Sequence, residues 1–232
     1  MADVTNTRTA SMLILFKFGA AEHLRQFRVN GVMHMRTMRY FANQEANAAR
    51  MDRLEGTFSI TQPRDVGDFI FEHPLLGKHH VDPKDLAGPV IITFNREVER
   101  NIFCMFALTG PQEAPLLHNE NLNFGAFFVL VLNRPEFFDR IRKAANLIGL
   151  KVDAGLVEYF DENTYSGETG AFRKSSRYSY QREFRMVVTP GLSPYRELVI
   201  GNLEDITTPV LPLSDLDSLV DFTPVSARAA GL

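Results

Sequence analysis

The chain of 232 residues carries 25 Lys and Arg against 28 Asp and Glu, a formal net charge of −3, with 45% hydrophobic and 23% charged residues. That balance excludes collagen-like, disulfide-scaffold and wholly disordered chains, and it excludes a protein that holds nucleic acid by bulk positive charge alone. The length suits one domain with a sizeable core, and a lone cysteine, Cys104, cannot form an internal disulfide, as expected in a reducing cytoplasm.

Residues 1–11 are polar and carry no apolar signal core, so a mobile N-terminus is expected ahead of a single domain over 12–232. No apolar stretch approaches the roughly 18 residues needed to span a bilayer, so the expected location is the cytoplasm, without membrane contact. Met12 to Phe18 reads as a strand with Leu13, Leu15 and Lys17 on one face, broken by Gly19. Ala20 to Val29 has helical spacing through Leu24, Phe27 and Arg28 and stops at Asn30-Gly31. The next strand, Val32 to Thr37, puts Val32, His34 and Arg36 on one face and Met33 and Met35 on the other. It runs into Met38-Arg39-Tyr40-Phe41 and then a polar-faced helix, Gln44 to Arg50.

The segment Arg50 to Gly56 gathers Arg50, Arg53, Asp52 and Glu55 just before a strand at Thr57 to Ile60. It reads either as a solvated turn or as a ligand-binding loop. Thr61 to Leu86 is rich in Pro, Gly, Asp and His and reads as a long surface excursion. Its His73, His79 and His80 match no zinc spacing, and no metal is expected. Pro89 to Phe94 and Asn101 to Leu108 read as a hairpin across the charged turn Asn95 to Arg100. A polar loop, Gly110 to Asn123, precedes the strand Gly125 to Leu132. Pro135 then opens a helix to about Ile148, with Phe137, Phe138, Ile141, Ala144, Ala145 and Ile148 at helical spacing. Gly155 to Phe160 and Glu197 to Gly201 are the remaining minor strands. Strands outnumber helices, so the fold class is α+β, with mostly antiparallel strands and a few flanking helices.

Chemistry concentrates in Tyr178 to Val188. Strand alternation puts Phe184, Met186 and Val188 on one face, and Gln181, Glu183, Arg185 and Val187 on the other. An amide, a carboxylate and a guanidinium two residues apart could grip a polar ligand and stabilise positive charge developing on it. The alternative is that Glu183 and Arg185 pair with each other or with a neighbouring strand. Arg173, Lys174 and Arg177 just upstream read either as guides for a phosphate-bearing ligand or as a solvated turn. Cys104 lies in the apolar run Ile102 to Leu108, where burial raises a thiol's pKa, so it is not expected to be a nucleophile. The phosphate loop, the dinucleotide glycine fingerprint, the Gly-x-Ser-x-Gly elbow and His-Glu-x-x-His are all absent.

The opening Leu15-Phe16-Lys17-Phe18-Gly19, the Asn30-Gly31 stop, the strand Val32 to Phe41 and the late Gln-x-Glu at Gln181 and Glu183 together resemble the ADP-ribosyltransferase superfamily, including its toxin and defence branches. Arg50 to Gly56 with Tyr178 to Arg185 is also similar to a loosely characterised group of bacterial intracellular proteins that close on a Tyr-x-Tyr-Gln-x-Glu-Phe-Arg strand. The first resemblance implies a split two-sheet core, with NAD as substrate in the cleft between the sheets and ADP-ribose transferred to a nucleic acid or protein acceptor. Glu183 would hold a ribose hydroxyl and Gln181 would orient the nucleophile. By order along the chain, Lys17, Arg36, Tyr40, Phe41, Arg53 and Arg185 would bind the dinucleotide. Lys17 stands where that superfamily usually places Arg or His.

Two other readings use the same residues. A non-catalytic module would recognise a nucleotide or partner protein through Arg36, Arg53, Arg173 and Arg185. A magnesium-dependent nuclease would need a carboxylate pair, for which Asp52 and Glu55 are the candidates.

Overall fold

The structure, a computed structural model, describes residues 13–43, 52–67, 69–110 and 116–219. The expected mobile N-terminus and the helix at Gln44 to Arg50 lie outside the described residues. Within them the chain runs β1 (Ile14–Gly19), α1 (Ala21–Asn30), β2 (Val32–Thr37), α2 (Met38–Ala42), β3 (Ser59–Thr61), β4 (Phe69–His73), β5 (Gly77–Val81), β6 (Val90–Ile92), α3 (Asn95–Val98), β7 (Asn101–Leu108) and β8 (Phe127–Leu130). It continues through α4 (Arg134–Leu147), β9 (Lys151–Leu156), β10 (Glu158–Phe160), β11 (Gly167–Glu168), β12 (Arg173–Ser175), β13 (Glu183–Thr189), β14 (Tyr195–Val199), β15 (Leu211–Pro212) and α5 (Leu216–Leu219). The fold is α+β with mostly antiparallel sheets.

The main sheet is organised around β7. Strand β13 pairs with β7 from Glu183 opposite Phe106 to Val188 opposite Asn101, and β9 pairs with β13 beyond it. The other edge of β7 is shared by two strands. β1 pairs at Phe106, Ala107 and Leu108, whereas β2 pairs only at Asn101 and Ile102. Phe103, Cys104 and Met105 therefore have no strand partner on that edge, and β1 and β2 fork apart around them. From the fork the sheet extends through β1 to β8 and β15, and through β2 to the edge strand β14.

The two prongs stay joined by α1, which stops where the sequence says it should. Gly31 adopts φ +64, and a Cβ there would lie 1.9 Å from the Gly201 carbonyl oxygen, so only glycine fits this left-handed cap. Buried Asn101 secures β2 at the base of the fork. Its Nδ2 donates to the carbonyls of Met35 and Leu192 at 3.2 and 3.0 Å, and its Oδ1 accepts from the Leu192 N–H at 2.7 Å.

One face of the sheet packs under α1 and α4. Leu24, Phe27, Phe137, Ile141 and Ala145 meet Met33, Met35, Phe103, Met105, Phe184, Met186 and Val188, as their spacing predicts. In the first turn of α4 the Asn133 side chain accepts from the Glu136 N–H at 3.2 Å, next to Pro135. On the opposite face, Phe16, Phe106 and Phe128 form edge-to-face contacts at 5.9–6.0 Å within a second cluster.

Several sequence expectations are corrected. β6 does not form a hairpin with β7. It pairs with β3 in a small separate sheet, and the charged segment Asn95–Val98 coils into α3. The excursion Thr61 to Leu86 contains a β4–β5 hairpin, because the turn before Gly77 (φ +74) returns the chain on itself. Tyr178 to Gln181 is not strand but part of a 3-10 turn, Ser176–Gln181. Arg182 follows at φ +41, and the strand begins only at Glu183.

Candidate functional site

The fork encloses a cavity of about 990 Å³. Of the eight sequence-nominated residues, Lys17, Arg36, Tyr40, Phe41, Gln181, Glu183 and Arg185 all line it. Arg53 does not. It is exposed on the turn before β3, outside the cavity lining.

The inner wall is an ionic cluster. Arg185 is fully buried; its Nη1 and Nη2 donate to the two oxygens of Glu55, each at 2.7 Å, and its Nε donates to Glu183 Oε2 at 2.8 Å. Arg185 Nη1 also donates to the Ala171 carbonyl at 2.7 Å. From the other side Lys174 Nζ donates to Glu183 Oε1 and to Gln181 Oε1, both at 2.7 Å, and lies 3.9 Å from Glu55. The Glu183 main-chain N–H donates to the Tyr159 hydroxyl at 2.9 Å.

Gln181 and Glu183 therefore do converge, but not by strand alternation. The left-handed Arg182 turns the chain between them, and Lys174 holds both side chains. Lys174 reaches this point because β12 runs parallel to β10, with Lys174 opposite Tyr159. Its neighbours are spent elsewhere: Arg173 pairs with Glu158 at 2.9 Å and Arg177 pairs with Glu162, so of the three upstream cations only Lys174 reaches the cavity.

Glu55 is placed by a short turn. Asp52 Oδ1 accepts from the Leu54 N–H at 3.0 Å, and Gly56 takes φ +74 against Met38 and Val98. The loop is tied down by Thr57 and Thr169, whose hydroxyls lie 3.0 Å apart. Of the segment read as either a solvated turn or a ligand-binding loop, Arg50 and Met51 lie outside the described residues; the remainder is a turn with Arg53 exposed that delivers Glu55, a buried carboxylate that also lines the cavity, to the buried Arg185 guanidinium. Asp52 and Glu55 are committed within the protein rather than facing each other across an open site, and among the described residues no group of three or more His, Cys, Asp and Glu could hold a metal ion.

The charge states follow from these contacts. Burial alone would push Glu183 up, but Arg185 and Lys174, through charge and hydrogen bonds, hold its carboxyl well below the usual range. Burial would lower Lys174, but Glu183 and Glu55 reverse that and keep it an ammonium. Asp52 is raised by burial, only partly offset by Lys174 and the Leu54 N–H. Burial, reinforced by Glu183, pushes the Cys104 thiol up to about 12, so it is no thiolate at neutral pH.

The outer wall differs. Lys17 Nζ donates to the Cys104 carbonyl at 2.8 Å and lies 4.2 Å from the Phe103 ring, so it satisfies main chain that the fork left without a strand partner. Arg36 lies between two aromatic rings, 4.7 Å from Tyr40 and 5.2 Å from Tyr195. Tyr40 is fixed at the start of α2, where its N–H donates to the Thr37 hydroxyl at 3.2 Å, and it meets the Phe41 ring edge-on at 5.4 Å. Gly125 closes the far end. It takes φ +136, and a Cβ there would lie 2.3 Å from the Gly19 main chain.

Sequence reasoning named Lys174 only as one of three upstream cations, and nothing in that polar run separates it from Arg173 and Arg177, which do not line the cavity. The same reasoning missed Tyr195, which the register places directly opposite Arg36. Glu55 carried a weak signal in its position between Asp52 and Gly56.

Compared with known proteins, the chain matches no family model, no curated protein and no solved structure at a significant level.

Proposed function

We propose that the fork cavity binds NAD and that the protein transfers ADP-ribose to a macromolecular acceptor. The observation that carries this reading is convergence: residues from β1, β2, α2 and β13, far apart in sequence, line one cavity of about 990 Å³ that joins carboxylate, amide, cations and aromatic rings. That volume lies at the upper end of the range for small-molecule sites. In the reaction, the bond from nicotinamide to the anomeric carbon breaks and its electron pair leaves with the nicotinamide. The carbon gains positive charge, the acceptor nucleophile bonds to it, and the acceptor's proton passes to water. An ionised Glu183, fixed before substrate arrives, stabilises that charge without reorganising. Gln181, held by Lys174, orients the nucleophile.

One observation favours a second reading, a nucleotide-binding module without turnover. Both oxygens of Glu183 already accept hydrogen bonds, one from Lys174 and one from Arg185. In that version Arg36 is the cation that meets phosphate. Arg53 and Arg173 lie outside the cavity lining, and Arg185 is neutralised by Glu55 and Glu183.

The test is nicotinamide release and transfer of label from adenylate-labelled NAD to lysate protein, DNA or RNA, comparing wild type with Glu183→Gln shown to be folded by circular dichroism. Transfer by wild type alone supports the enzyme. NAD binding with no release supports the module. Equal transfer by both proteins removes Glu183 from the mechanism.

A further inference from the structure

A second pocket, of about 320 Å³, lies beside the inner wall and shares no lining residue with the fork cavity. Its volume is near the lower end of the range for small-molecule sites. Residues 169–174 part the two spaces. Alternation along β12 gives Arg173 to the second pocket and Lys174 to the fork cavity. The 3-10 turn Gly170–Phe172 forms the rest of the partition. Ala171 lines the second pocket, while its carbonyl accepts from Arg185 Nη1 at 2.7 Å. Thr169, on the same wall, donates from its hydroxyl to the Thr57 carbonyl at 2.6 Å, two residues beyond Glu55. Leu156 and Phe172 supply the apolar wall.

The charged groups of this pocket are unevenly served. Arg173 donates to Glu158 at 2.9 Å and to the Glu168 carbonyl at 2.8 Å, so the one carboxylate on the lining is neutralised. Arg100 is less well provided. Its Nη2 pairs with Glu97, which lies outside the lining, but its Nε is buried with no hydrogen-bond partner among the described residues. Burial lowers the Arg100 pKa; Asp153 opposes that shift and Arg96 adds to it. A charge drawn partly out of water with one donor unspent costs free energy until an acceptor arrives. The planar guanidinium fork fits the edge of a carboxylate or a phosphate.

We propose that this pocket is a second ligand site, which takes a small oxyanion, carboxylate or phosphate, on Arg100, and that its occupancy braces the inner wall. The link is short. The segment that the anion restrains carries the Ala171 carbonyl to Arg185, Lys174 to Glu183, and Thr169 to the loop that places Glu55. The site stands independently of any turnover in the fork cavity.

The experiment is titration calorimetry of the full chain with inorganic phosphate and with benzoate, at matched ionic strength in chloride. Wild type should bind at least one of them with a Kd of about 0.1–10 mM, the range that two charge-assisted hydrogen bonds give. Arg100→Met should weaken binding by about 10-fold or more, the equivalent of one such bond. Leu156 is 46% exposed, so Leu156→Glu should fold, and its added carboxylate on the pocket wall should weaken binding as well. If Arg100→Met fails to fold, Leu156→Glu decides alone. Arg36→Met removes a guanidinium of the fork cavity and should bind as wild type does. Hydrogen exchange at the Thr57, Thr169 and Gly170 amides should slow when the anion is added. Tighter phosphate names a phosphate-bearing ligand and tighter benzoate a carboxylate with an apolar body; either supports the inference. No saturable binding of either anion, full affinity in Leu156→Glu or in folded Arg100→Met, or loss of binding in Arg36→Met would overturn the site. Binding with unchanged exchange at those three amides would overturn the bracing.

Discussion

The two walls of the cavity treat charge in opposite ways. On the inner wall, Glu55, Glu183, Lys174 and Arg185 are buried and satisfy one another at 2.7–2.8 Å. On the outer wall, Arg36 has aromatic rings for neighbours and, among the described residues, no carboxylate in ion-pair contact. Charges taken out of water need partners, so the inner groups must be mutually locked; a half-exposed group next to solvent has no such need. The inner wall therefore fixes geometry, whereas the outer wall leaves Arg36 half-exposed among rings.

The largest test of that contrast is Arg185→Met. It leaves buried Glu55 and Glu183 without their main partner, which should destabilise by about 3–5 kcal/mol. At roughly 2–4 °C per kcal/mol for a chain of this size, calorimetry should show Tm falling by roughly 6–20 °C. Arg36→Met on the outer wall should shift Tm by less than about 1 kcal/mol equivalent, as expected for cross-strand contacts at a sheet edge. Similar losses from both would end the distinction.

A smaller effect examines the links within the inner wall. Lys174→Met and Glu183→Gln should each destabilise, and the double variant should lose less than their sum, with a coupling of about 0.5–3 kcal/mol in urea unfolding. Additive losses would mean that Lys174 does not hold Glu183. Asn101→Ala acts on the fork itself: it strands the Met35 and Leu192 carbonyls and should destabilise by about 1–3 kcal/mol. Hydrogen exchange should then quicken first in β2, where pairing to β7 spans only Asn101 and Ile102.

These expectations also show which parts of the molecule were legible in sequence. α1, β2, β7 and α4 were legible because their apolar periodicity records a face that must be buried, and the Asn30-Gly31 stop records a backbone turn only glycine allows. The β6–β7 hairpin was misread because proximity in sequence favours a local partner, whereas β6 pairs with β3 across the β4–β5 insertion. For the site, the strand pattern gave Glu183 and Arg185 correctly as neighbours on one face. It could not show that this face is buried, because Glu55 arrives from 130 positions away in sequence. Gln181 was assigned for the wrong reason: it meets Lys174 through the left-handed Arg182, which alternation does not anticipate. The fork, finally, is a matter of register between β1, β2 and β7, and no single segment encodes it.

The subtlest test of the inner wall uses pH. The wall and its surroundings hold three carboxylates, Asp52, Glu55 and Glu183, against two cations, Lys174 and Arg185, so one acid is in surplus; burial raises both Glu55 and Asp52, and of the two Asp52 lacks a direct ion pair to either cation. Relative to its ordinary value of 3.8, folded Asp52 binds its proton more tightly than the unfolded chain does. Its contribution to stability is therefore fullest below 3.8 and is lost as pH rises through the raised folded value. Glu183 has the opposite sign: its contribution is present above the ordinary 4.5 and is lost as pH falls toward its lowered folded value. Asp52→Asn keeps an oxygen for the Leu54 N–H but removes the surplus charge. Thermal melts should find this variant more stable than wild type at pH 7, with the advantage closing as pH drops toward 3.8. A deficit of constant size at every pH would mean that Asp52 acts only as a turn former, and that the inner wall balances its charges without it.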